Sequence, residues 1–129
     1  MDKYVQEQTA TLLRRLASKA HQAAVLGTPD AVHDLRVGIR RLNQCLRVFG
    51  RSFPRGEVRK IRRELKKVMR MAGKVRDLDI TIDLFKKAKA PADPTLAHDR
   101  RRARKELTGG LKSWSRHDFS RRSRERLNV

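Results

Sequence analysis

"VHDLRVGIRRLNQCLRVF", residues 32–49, carries an apolar row and a cationic row side by side. Val32, Leu35, Ile39, Leu42, Leu46 and Phe49 follow alternating steps of three and four, the spacing of one helical face. One residue later, on the same rhythm, come His33, Arg36, Arg40, Asn43 and Arg47. Helices normally mix signs, because like charges four residues apart cost about 0.2–0.5 kcal/mol per pair. Here almost no acid offsets the row, so something outside the helix is expected to supply negative charge.

The pattern recurs. Val58, Ile61, Leu65, Val68 and Ala72 form a second apolar row. Arg59, Arg62 and Lys66, then Met69 and Gly73, then Arg76 follow it by one residue, about 100° round the helix. If the two helices pack as neighbours in the right sense, the cationic rows converge on one wall. Snorkelling of Lys and Arg over the edge of a core explains where each residue sits. It does not explain why only Glu57 and Glu64 face seven basic residues between 57 and 70.

Turn residues divide the rest of the chain. Gly27-Thr28-Pro29-Asp30, Gly50 to Gly56 with Pro54, and Ala90-Pro91-Ala92-Asp93-Pro94 separate runs of helical period, and no strand alternation is evident. Helices are expected near 3–26, 30–49, 56–90 and 94–127, with Asp30 and Asp93 as N-caps and Pro94 at a first helical position. The third is expected to break near Gly73–Asp77, and Gly109-Gly110 leaves the fourth open to interruption. Short connections favour antiparallel neighbours, so the fold class is all-α, an antiparallel helical bundle.

A chain of 129 residues suits one domain with a real core, here residues 1–129 as a single unit. Its net charge of +19 attracts nucleic acid, phosphate polymers or anionic membranes. That charge is partitioned: +12 over residues 31–76 and +8 over 100–126, against +1 over 1–30 and −2 over 77–99. Generic solubilising charge would be mixed more evenly, and the partition suggests a directed field. The lone Cys45 excludes an intramolecular disulfide and reads as a small core residue. No apolar run approaches the roughly 20 residues of a transmembrane helix, and the N-terminus lacks an apolar signal core, so a cytoplasmic location is expected.

His33-Asp34-Leu35-Arg36-Val37, then Arg40-Arg41-Leu42 and Phe49, resembles the signature of the CHAD family, the conserved histidine α-helical domain. Leu65 through Gly73-Lys74-Val75-Arg76-Asp77-Leu78-Asp79-Ile80 resembles that family's Gly-x-x-Arg-Asp-Leu-Asp segment at the expected distance. Similarity extends more loosely through Arg100–Leu111 into Trp114–Phe119. The resemblance implies two four-helix bundles related by pseudo-twofold symmetry, a basic central channel and binding of inorganic polyphosphate. It also implies frequent fusion to triphosphate-tunnel domains and, in some members, association with polyhydroxyalkanoate granules. The present length matches the N-terminal half of such a domain. The expectation is either a stand-alone half-domain, with a homodimer completing the two-bundle arrangement, or a fragment.

Polyphosphate presents charged oxygens along its whole length, and the arginine guanidinium offers a planar fork of donors that stays charged at physiological pH. Arg36 and Arg40 stand about 6 Å apart along the helix axis and suit units of one chain. Arg47 continues their row. Arg62, Lys66 and Arg70 would act likewise from the facing helix. Arg41 and Arg63 flank the rows, either bound or solvated, and Arg76 either contacts the anion or pairs locally. The resemblance carries His33 over as a phosphate-facing residue, one ring N–H donating to an oxygen; a structural hydrogen bond is the alternative. Asp77 and Asp79 are read as carboxylates at a restarting helix or as anchors holding Arg76 or another arginine, not as a metal site or acid–base pair. Leu107, Leu111 and Trp114 share a packing face.

No phosphate-cradling Gly-rich loop, metal-ligand cluster or nucleophile–base arrangement is visible, so a non-enzymatic binder without cofactor, metal or catalytic residue is expected. Non-specific nucleic-acid binding is the main rival, since phosphate contacts dominate either affinity. Against it, five aromatic side chains plus Tyr4 offer no stacking platform, and Asn43 and Gln44 are the sole base-reading candidates on the basic helix. A granule-associated scaffold is a third reading; it needs exposed apolar surface, from residues 1–26 or 96–114.

Overall fold

The computed structural model describes residues 2–129, which form five α-helices. The apolar row of the quoted stretch faces inward. Val32, Leu35, Ile39, Leu42 and Leu46 are each at most 1% exposed, and Phe49 packs at the edge of the core. They lie on α2, Pro29–Phe49, against Val58, Ile61, Leu65, Val68, Ala72 and Val75 of α3, Arg55–Lys87. Burying one leucine contributes about 1.5–3 kcal/mol, so a single core residue outweighs several like-charge pairs on the outer faces. The one-signed helices fold for that reason.

Helix α1, Lys3–Leu26, packs beside α2, while α4, Pro94–Arg116, packs beside α3 and closes the ring against α1. The contributions of α4 to the core are Leu107, Leu111 and Trp114, the shared face expected from the sequence, together with Ala103. Helix α5, Phe119–Leu127, lies against α1, α3 and α4 at one end of the bundle and buries Leu127 completely. Cys45 is buried, with its sulfur 3.4 Å from the Thr9 hydroxyl.

Helix ends follow local chemistry. Asp2 caps α1 through the Tyr4 N–H at 2.7 Å, and Gly27, at φ 58°, ends it with its own N–H bonded to the Ala23 carbonyl. Asp93 caps α4 through the Thr95 N–H at 2.8 Å, with Pro94 at the first helical position as expected.

Three expectations need correction. Thr28, not Asp30, caps α2, its hydroxyl accepting from the Ala31 N–H at 3.2 Å; Asp30 lies inside the first turn, where its charge suits the helix dipole. Helix α3 runs unbroken through Gly73–Asp77. A mid-helix glycine costs about 1 kcal/mol, and fully buried Ala72 and Val75 on either side offset that cost. The fourth segment passes straight through Gly109-Gly110 and breaks instead at His117–Asp118, where Asp118 adopts φ 48°. At that corner Trp114 and Phe119 stack with ring centroids 4.4 Å apart.

Candidate anion-binding groove

A tight link joins α2 to α3: a single 3-10 turn, Gly50–Ser52, then buried Phe53 and the helix-starting Pro54. It folds α3 back along α2, and the two cationic rows meet across the seam. Arg62 Nε donates to Asn43 Oδ1 over 3.0 Å, one residue from each row. Beside this contact runs an open groove of about 1260 Å³, floored in part by Leu46, Val58 and Leu65. Eight cations line it and no carboxylate does: Arg47, Arg51 and Arg55 around the turn, and Arg59, Arg62, Arg63, Lys66 and Arg70 along α3. Among the described residues none of the eight forms an ion pair. The acids of this part of α3 are engaged with other cations. Glu57 lies 3.6 Å from Lys60 and 3.5 Å from Arg126, and Glu64 lies 3.5 Å from Lys67.

Of the residues singled out from the sequence, Arg47, Arg62, Arg63, Lys66 and Arg70 come together in this groove. Arg40 and Arg41 occupy an adjoining shelf on α2, where Arg47 and Arg62 also reach. Arg36 and Arg76 sit farther along the seam, beyond the groove lining. His33 stands apart from the groove, exposed on the α1 flank of α2, where it shares a hollow with Arg15, Lys19, Asp34 and Arg41. The separation is mainly axial: His33 stands 14 residues, about 21 Å, along α2 from Arg47.

Arg36 is half-buried, and its Nε is shielded from solvent without a hydrogen-bond partner. Burial above all, then the neighbouring Arg40 and Arg76 charges, push its pKa below the ordinary arginine value, while Asp77 pulls the other way. An unsatisfied buried donor costs about 1–3 kcal/mol. Replacement by a neutral side chain of similar length, Arg36→Met, is therefore expected to raise stability by about 1 kcal/mol. The melting temperature should rise by about 4 °C in a thermal scan without anions. A lower melting temperature would mean that attraction to Asp77 outweighs desolvation.

The second basic segment is differently employed. Arg100 donates to Asp79 at 2.7 Å and to the Gly27 carbonyl at 2.7 Å, and Arg104 donates to the Leu26 carbonyl at 3.3 Å. Arg121 pairs with Asp118 and Glu125, and Arg126 with Glu57. Three of the eleven cations between 100 and 126, Arg100, Arg104 and Arg126, thus tie helices together, while Arg121 pairs locally. Asp79 anchors an arginine as expected, but one on α4 and from mid-helix, not at a restarting one.

Sequence reading passed over Arg51 and Arg55, which bracket the turn, where helical periodicity gives no direction to a side chain. It named Arg59 in the row without placing it among the binding residues. Arg15 and Lys19 lie on a nearly neutral segment whose balance hid them. Of the apolar surfaces considered for a granule coat, the α4 face is core, whereas Tyr4, Val25 and Leu26 of α1 are exposed. No helix among the described residues is long and apolar enough to cross a membrane.

The described residues thus form an all-α helical bundle that carries an acid-free cationic groove. The CHAD domain family model matches residues 7–128, nearly the whole chain, and the protein belongs to that family. Comparison with curated proteins and with solved structures gave no match.

Proposed function

We propose that the protein binds inorganic polyphosphate in the groove between α2 and α3, without catalysing a reaction on it. The observation that carries this reading is the set of eight groove cations with no carboxylate among them. In a protein that also builds ion pairs on its other faces, such a set is what an external polyanion would complete. From Arg59 to Arg70 the groove wall extends about 17 Å along α3, the shape for a linear chain. Guanidinium forks grip successive phosphoryl oxygens, and Lys66 adds a point charge. Membership of the CHAD family, whose resemblance implied this ligand, supports the same reading. Residence in the cytoplasm, on polyphosphate granules where these form, belongs to the proposal.

Nucleic acid is less well supported. Phe53 beneath the groove is only 5% exposed, and Trp114 and Phe119 stack on each other, so neither offers a platform for bases. Asn43 is held by Arg62. Competition separates the two ligands. Excess long-chain polyphosphate should displace duplex DNA, whereas DNA at equal phosphate equivalents should leave polyphosphate bound, and affinity should fall steeply with salt. Equal displacement in both directions, or a flat salt response, would overturn the proposal.

A further inference from the structure

Two smaller hollows continue the groove across α2. One, of about 490 Å³, shares Asn43, Arg47 and Arg62 with the groove and extends it to Arg40, Arg41 and Gln44. The other, of about 360 Å³, lies on the opposite flank of α2, where α1 packs. Arg15 and Lys19 of α1 line it with His33 and Arg41, and Asp34, 4.0 Å from Lys19, is its one carboxylate. Arg41 belongs to both hollows and joins them over the crest of α2.

We propose that these hollows form a single track, so that one long polyphosphate chain occupies the α2–α3 groove, crosses α2 at Arg41 and enters a second cationic site at Arg15 and Lys19. The inference rests on the polyphosphate reading of the first groove. It assigns a ligand site to α1, and it places His33 within that second site. It also makes the protein a reader of chain length. A helix with its side chains is about 10–12 Å across, so only a chain longer than that reaches both flanks. Tripolyphosphate occupies one groove at a time. Tethering two sites through one ligand raises affinity by about 10²–10⁴-fold over either alone.

The test compares affinities for tripolyphosphate and long-chain polyphosphate at fixed salt, using the full chain. Three proteins are needed: the wild type, Arg15→Ala with Lys19→Ala, and a charge-matched control, Arg101→Ala with Lys105→Ala, on exposed positions of α4. The wild-type preference for long chains should fall by about 10-fold or more in the α1 variant and persist in the control, as loss of one tethered site requires. A preference unchanged in the α1 variant, or lost equally in the control, overturns the track. A wild type that binds neither polymer instead overturns the polyphosphate reading itself.

Discussion

Reversing three groove cations together, Arg62→Glu, Lys66→Glu and Arg70→Glu, lowers affinity for long-chain polyphosphate by about 10³-fold. Each charge-assisted hydrogen bond to a phosphoryl oxygen contributes at least about 1.5 kcal/mol, and each 1.4 kcal/mol is a factor of ten. All three side chains are exposed and free of ion pairs, and Arg62 gives up only an exposed hydrogen bond to Asn43, so the core beneath them is untouched. Circular dichroism should show unchanged helicity and a cooperative melt, and titration calorimetry should read the loss. Binding kept within tenfold of wild type would move the site away from α3, to the remaining free cations between 100 and 126.

The second large effect concerns stability. Asp79→Ala is expected to destabilise the fold by about 3 kcal/mol, since removing one partner of a buried ion pair strands the other. The Asp79 side chain is 7% exposed and that of Arg100 20%, and Arg100 also holds the end of α1 through the Gly27 carbonyl. For a domain of this size the melting temperature should drop by about 10 °C. Asp77→Ala, two residues away but exposed, should change it by no more than about 2 °C, the range of an exposed charge contact. Equal effects at the two positions would show that Asp79 contributes only as a helical carboxylate, not as the clamp between α3, α4 and α1.

The helices and core were legible because periodicity reports burial directly: Val32, Leu35, Ile39, Leu42 and Leu46 had to face one way, and they do. Breaks were less legible. Gly73 looked like an interruption, yet its local cost is smaller than the packing of its neighbours. The corner at Asp118 arises where the helix must turn to bring Leu127 inward, and no glycine or proline marks it. The groove was half legible. A row one residue behind an apolar row must lie at its edge, but which edge meets a second helix depends on packing. That choice gathered Arg47, Arg62 and Lys66, whereas His33, about 21 Å along α2 from Arg47, comes to lie beside α1. Composition weighed the two basic segments alike, whereas Arg100, Arg104, Arg121 and Arg126 are occupied within the fold.

Helix α3 has 33 residues and α2 has 21, about 50 Å against 32 Å, so the last turns of α3 outrun their neighbour. Ile80, Leu84 and Phe85 are exposed there, while the other end of the bundle is sealed by α5. Fraying on warming accordingly starts at the unsealed tip, where few apolar contacts resist it. The trough of arginines lies toward the sealed end, and keeps its shape after the opposite tip has begun to melt.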